Sequence, residues 1–418
     1  MAAEVLTAAE VPVAAAVPMA AGVAVVAGAA GQPIVRGVGN NGDMDILWLL
    51  LALGLLAAAL GPVPRRRRDP GLGRRRGLIR QVPAGSPDAA DPEEYGFLRQ
   101  EELDVRVPGP DEELLHVLDV VQGTQRWGPA SRLLAATPAE GEIRWQRVQG
   151  FAGAASLELA ARPGAGGRWL REWRVEAPKD AGAAAVQAEF LVQQAWRTSR
   201  PGADEFRILL EEARAVCGEA ALLAPGDPVP YVIELSVARG LGYPPAEFDL
   251  LWAKVMDRAP AHMGAHLAAL RYWSAAWHGS REEADGFATA AAARAPRGSL
   301  LAALPLFALY EHLPEVDLVR SLYRSRAVIR AVEGAMFAVH AARADDPVLP
   351  HVRHLLVLFL VRMGRWGEAM GQLVLVDGHV GAVPWTYAAD PAGEYALHRA
   401  LAVAGYEANG GSPATLPR

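Results

Sequence analysis

GEAALLAP at residues 218–225, LWAKVMDRAP at 251–260 and FATAAAARAP at 287–296 decide the fold. Each is a run of helix formers closed by Ala-Pro. The three prolines, Pro225, Pro260 and Pro296, lie 260 − 225 = 35 and 296 − 260 = 36 residues apart. Alanine and leucine lose little freedom on entering a helix. Proline ends one, because it lacks the N–H and its ring clashes with the preceding turn. Two short helices and a terminal proline in a period of about 34 residues are how stacked helical repeats appear in sequence. Such units cannot bury their apolar faces alone, so they stack and leave a concave surface suited to binding. The expectation is an all-α chain whose second half is an irregular α-solenoid.

Composition agrees. A chain of 418 residues with 51% hydrophobic content can bury a large core, and β-branched alternation is scarce. Lysine occurs only at Lys179 and Lys254, which leaves 41 − 2 = 39 arginines, a bias with the stamp of a GC-rich bacterial genome rather than of arginine chemistry. Cys217 is the single cysteine, so an intramolecular disulfide is excluded.

Residues 46–63, ILWLLLALGLLAAALGPV, hold no charge. At about 1.5 Å per residue they reach roughly 27 Å, the depth of a hydrocarbon core. Arg65 to Arg68, Arg74 to Arg76 and Arg80 follow, while Asp43 and Asp45 precede. Positive charge resists translocation, so a single-pass anchor in a bacterial cytoplasmic membrane is expected, with the C-terminal domain in the cytoplasm. A cleaved signal peptide fits poorly because the basic cluster follows the apolar run. The arginines stand beside that run in a Gly/Pro-broken segment, without the fold or aromatics of a nucleic-acid surface. A lipid-headgroup role is the simpler reading, and no nucleic-acid partner is expected.

The chain then divides as follows: 1–43, a low-complexity leader, with Met44 a natural beginning and residues 11–30 a weaker apolar stretch; 44–64, the transmembrane helix; 65–110, a basic neck and linker; 111–200, a helical N-terminal part; 201–406, helical repeats; and 407–418, a disordered tail. Residues 65–80 carry eight arginines and one aspartate, net +7, so the remainder carries −6 − 7 = −13. An acidic body on a basic neck suits an anionic inner leaflet.

Near the end of the repeats LLVLFLVRMGRWGEAM, 355–370, places Gly364, Trp366 and Ala369 at spacings of two and three. This Gly-x-aromatic-x-x-Ala pattern, with the proline period, resembles the tetratricopeptide repeat. A unit at 265–298 matches through Gly279, Ala284 and Ala291. The unit at 229–262 departs from it with Gly242, Tyr243, Pro244 and Pro245, and the interval from Pro296 to Pro347 is 347 − 296 = 51. Residues 217–311 also resemble an uncharacterised bacterial family of helical-repeat domains. Its pattern falls here on Trp277, Gly279, Ser280, Glu283, Phe287, Ala288 and Glu311. That resemblance implies a fold and no activity.

In a tetratricopeptide-like unit the first helix lines the groove. His266, Ala269, Trp273 and Trp277 then form one stripe, and His351, His354, Leu358 and Arg362 its counterpart in the 350–383 unit. The two tryptophans suit clamping a Pro-rich or apolar peptide, and Arg362 an acidic terminus. The competing reading is plain packing between helices, which is commoner for tryptophan.

His262 with His266 and His351 with His354 have spacings that put each pair on one helix face, but no His-Glu-x-x-His or cysteine cluster accompanies them, so no metal is expected. Ser280 followed by Glu283 reads as a helix cap. No Gly-x-Ser-x-Gly elbow, phosphate loop or dinucleotide fingerprint occurs, so no catalytic residue or cofactor is assigned. The leading expectation is a membrane-anchored scaffold that binds an unknown protein or peptide. Two alternatives stand beside it: an enzyme with a pocket around His278, Glu283 and Glu311, and a self-associating structural membrane protein.

Overall fold

The computed structural model describes residues 92–313 and 321–416. The leader, the expected membrane span at 46–63 and the arginine neck lie outside the described residues. Among those described, the chain is all-α, with fifteen α-helices, short 3-10 turns and no strand. None of these helices is long and apolar enough to cross a membrane.

The first eleven helices are α1 Glu112–Thr124, α2 Gly128–Ala136, α3 Glu142–Ala161, α4 Arg168–Glu176, α5 Ala181–Thr198, α6 Asp204–Leu223, α7 Val229–Leu241, α8 Pro245–Arg258, α9 Met263–Tyr272, α10 Arg281–Ala293 and α11 Leu304–Glu311. After the undescribed segment come α12 Arg326–Ala341, α13 Leu349–Met363, α14 Trp366–Leu373 and α15 Pro391–Ala408.

Local chemistry sets their ends. The side chains of Asp111, Asp180, Ser280, Ser325 and Asp390 accept backbone N–H groups from the first turns of α1, α5, α10, α12 and α15. The Ser280 bond, from Glu283 N, is 3.1 Å. At the other end, Pro225, Pro260 and Pro296 follow the last residues of α6, α8 and α10 by two or three positions. The residue before each of the first two, Ala224 and Ala259, has left the helical region, at ψ 78° and 66°, in keeping with the bar a following proline sets on the α conformation. Ala177-Pro178 does the same after α4, with ψ 64° at Ala177. This instance escapes the sequence period because 225 − 178 = 47. Gly242 and Gly364 end α7 and α13 at φ +72° and +73°, a conformation that a Cβ disfavours.

Most sequence neighbours pack on one another, and a second set of contacts skips one helix: α1 on α3, α3 on α5, α5 on α7, α7 on α9, α9 on α11 and α13 on α15. The odd-numbered helices therefore form the inner row. Their burial matches: all ten residues of α9 are buried, as are thirteen of the twenty in α3. Two apolar clusters result, and α9 is the wall between them. Ala265, Ala268, Ala269 and Tyr272 face the N-terminal cluster, while Met263, Leu267 and Leu270 face the C-terminal one.

Two segments expected to be loose are packed. Residues 92–107, read as linker, run onto the C-terminal cluster and bury Tyr95, Phe97 and Leu103. A single parallel bridge joins Asp104 to His379. Within the expected tail, Tyr406 Oη donates to the Thr415 carbonyl at 2.7 Å, and Leu416 packs on the C-terminal cluster. In both segments a few apolar side chains and backbone bonds offset a composition that reads as disorder.

Candidate functional site

Between α8, α9 and α10 lies a partly open pocket of about 210 Å³. Its walls include Trp252 and Met256 of α8, His266 of α9, and Phe287, Ala290 and Ala291 of α10, with Arg294 at the rim. Pro260 and Pro296, two of the period-marking prolines, complete it. The same proline that stops an outer helix here forms a rigid apolar lip.

Ring geometry fixes the floor. Trp252 meets His266 edge-on, with centroids 4.9 Å apart and planes at 90°, and Phe287 lies 5.4 Å from Trp252. His266 Nδ1 is 2.9 Å from the His262 carbonyl oxygen. A carbonyl only accepts, so Nδ1 carries the proton and Nε2 is left as an acceptor. Burial pushes the His266 pKa down, which keeps the ring neutral at pH 7. The pocket thus presents aromatic faces and one neutral imidazole, with a positive rim.

The other sequence-predicted residues do not join His266 in an open groove. Trp273 is half-buried and packs edge-on against Phe248 and Tyr272, with centroids 5.6 and 5.0 Å away. Trp277 stacks edge-on to Trp196 at 5.3 Å. Ala269 is buried. His351 and His354 are interior groups, 4% and 0% exposed. His354 sits between two partners: Trp385 Nε1 donates to its Nδ1 at 3.0 Å, and its Nε2 is 2.9 Å from the His379 carbonyl oxygen. Burial lowers His351 to about 4 and His354 to about 3. Leu358 is buried and Arg362 half-buried at the end of α13. The expected stripe fails there because α13 is covered all round by α12, α14 and α15, so no face is left for a groove.

His278, Glu283 and Glu311 do not share a contact. His278 Nε2 donates to the Arg239 carbonyl oxygen at 2.6 Å. Glu311 accepts from Arg271 Nη2 at 2.8 Å, and Glu283 is exposed at the start of α10. Among the described residues, no group of three or more His, Cys, Asp or Glu side chains is placed to hold a metal ion. His262 accepts from Ala265 N at 3.1 Å as the N-cap of α9.

Sequence reasoning missed Trp252, Arg294 and the buried pair Arg239 and Arg271. Trp252 and Phe287 lie eight and nine residues before Pro260 and Pro296, so each ring stands about two turns ahead of a helix-ending proline. In the run VPYVIELSVAR, Glu234 is half-buried while Arg239, five residues on, is buried, and residue type alone does not tell the two apart.

No family model matches the chain, and no curated protein or solved structure matches it.

Proposed function

We propose that this chain is a membrane-tethered helical-repeat protein that binds a short apolar segment of another protein in the pocket of Trp252, His266 and Phe287. The tether is the uncharged run 46–63 with its trailing arginines, which places the body on the cytoplasmic side of a bacterial membrane. The body is an irregular tetratricopeptide-like solenoid. In support stand the Ala-Pro endings of α4, α6, α8 and α10 and the inner row of odd-numbered helices. The resemblance to the bacterial family with a Trp-x-Gly-Ser segment rests on Trp277, Gly279 and Ser280 and adds kinship alone.

One observation carries the binding reading. The pocket is open to solvent, built by three consecutive helices of the repeat region, and walled by aromatic rings that a peptide side chain can stack on. Its volume is below the roughly 300–1,000 Å³ of sites that enclose a drug-sized ligand. It fits one large side chain of an extended partner. Arg294 at the rim favours an acidic residue beside that anchor.

The test uses the full chain in detergent micelles against a displayed library of short peptides, wild type beside Ala290→Trp. Ala290 is exposed at the pocket wall, so the added indole fills the pocket without entering the core. Enrichment of peptides with an aromatic or large aliphatic anchor by the wild type alone supports the reading. Equal enrichment by both, or none by either, overturns it.

A further inference from the structure

Arg239 is 1% exposed, in the last turn of α7, and its three guanidinium nitrogens Nε, Nη1 and Nη2 have no hydrogen-bond acceptor. Other buried arginines among the described residues are matched: Arg399 donates to Asp377 at 2.7 Å, Arg147 to Asp111 at 2.6 Å. Arg239 instead lies between two indole rings, its guanidinium carbon 4.7 Å from the Trp196 centroid and 5.1 Å from that of Trp277.

The neighbours do not balance its charge. Arg271 is close enough to repel it, and the carboxylate that acts on it, Glu311, is already engaged by Arg271, as is Tyr387 Oη at 2.6 Å. Two guanidinium charges face one carboxylate. The ring faces attract the cation, more strongly for being desolvated, but a stacked ring offers its N–H groups no oxygen or nitrogen acceptor. The negative ends of α5, α7, α9 and α11 ease the charge without providing an acceptor to these nitrogens. A buried charge without hydrogen-bonded compensation is strongly destabilising, so native structures pair it or bind an ion there.

We infer that Arg239, roofed by Trp196 and Trp277 at the C-terminal ends of the inner helices, is a binding site for a small oxyanion. A guanidinium presents parallel N–H groups that match two oxygens of a phosphate or carboxylate. The ring walls exclude water and strengthen that contact. The site is too enclosed for a macromolecule: Arg239 is 1% and Trp196 8% exposed. Trp277 is the half-buried member of the roof, on the loop after α9 where Ala275 and Ala276 are exposed, and access runs past it. The site stands apart from the peptide pocket, whose walls include neither arginine.

The experiment follows thermal unfolding of the full chain in micelles as inorganic phosphate replaces chloride at constant ionic strength, with acetate as a second arm. The expected result is a saturable rise in Tm with phosphate, kept by Ala290→Trp, and a loss of phosphate affinity of about tenfold or more in Arg239→Gln. A response to acetate alone assigns the site to carboxylates and still supports it. No saturable rise, or an equal one in Arg239→Gln, overturns the site. Should Arg239→Gln not fold, crystals of the wild type soaked in selenate decide. An anomalous peak against the Arg239 guanidinium supports the site, and its absence there overturns it.

Discussion

Glu142 Oε2 lies 3.1 Å from His262 Nδ1, joining the first turn of α3 to the N-cap of α9. The contact is not an ion pair. His262 Nδ1 already accepts the N–H of Ala265, so it has no proton to give Glu142. A carboxylate oxygen facing that lone pair is repelled, and the contact eases when Glu142 is a neutral acid whose proton shares the lone pair with the Ala265 N–H. Burial points the same way for both partners. It pushes Glu142 up to about 8, with the charge of Asp346 adding and the N–H groups of Met263 and Gly264 opposing. It pushes His262 down to about 3. Two neutral groups thus close the seam between the N-terminal helices and the inner wall.

Stability should therefore have a plateau on the acid side of neutrality. Glu142 has a raised folded pKa, so its contribution is full below about 4.5 and is lost as pH rises toward 8. His262 has a lowered folded pKa, so its contribution is full above about 6.5 and is lost as pH falls toward 3. Between 4.5 and 6.5 the two slopes cancel; above 6.5 the glutamate slope stands alone, at up to about 1.4 kcal/mol per pH unit. Urea midpoints from pH 4 to 9 should fall on the alkaline side, and Glu142→Gln should flatten that limb. An alkaline limb as steep in Glu142→Gln as in wild type assigns the slope to other groups.

Trp273→Ala and Trp277→Ala should each cost on the order of 3 kcal/mol in chemical denaturation, since each removes an indole packed edge-on to other rings. Trp277→Ala also strips one face from Arg239. A cost under about 0.5 kcal/mol for either would place that ring at the surface, as the groove reading had it.

His354 should hold one tautomer. The indole N–H of Trp385 occupies Nδ1 and the His379 carbonyl requires a proton on Nε2. With its pKa lowered to about 3, ring nitrogen shifts of the full chain should show a neutral Nε2–H imidazole unchanged from pH 5 to 8. A titration in that window would place His354 in contact with solvent.

Much of the helical frame was legible, because helix formers and proline act locally: residues 111–200 are helical as expected, and Ala-Pro marks three helix ends. The inner row was not. Periodicity reveals one face of a half-buried helix, and a helix covered all round, such as α13 or α9, has no face to reveal. His351, His354 and Arg362 were aligned by that false stripe. His266 falls in the pocket because α9 is short and its first turns meet the gap between α8 and α10. Trp252 and Arg294 come from helices adjacent in space, and Arg239 is decided by which acceptors α11 and the C-terminal region supply, so neither is written in local sequence.

The packing of residues 92–107 escaped the sequence for the same reason, and it depends on Asp377. Its carboxylate accepts from Leu98 N at 2.7 Å across 279 residues, from Tyr395 Oη at 2.9 Å and from Arg399 Nη1 at 2.7 Å. Arg399 is 2% exposed, and its guanidinium also covers Phe97 at 5.5 Å. Asp377→Ala strands that buried cation and frees the Leu98 amide. It should cost about 3–5 kcal/mol and expose residues 92–107 to trypsin, with cleavage after Arg106 before the helical body is cut. Gly381→Ala provides an independent check from the opposite side. A Cβ there would collide with the Val105 and Arg106 carbonyls, so the segment must lift while the Asp377 bonds to Tyr395 and Arg399 survive. Faster cleavage in both variants assigns the segment to the folded body. If Gly381→Ala cuts no faster than wild type, the Val105 and Arg106 carbonyls do not lie against Gly381 in solution, and the segment is held by Asp377 and the burial of Tyr95, Phe97 and Leu103.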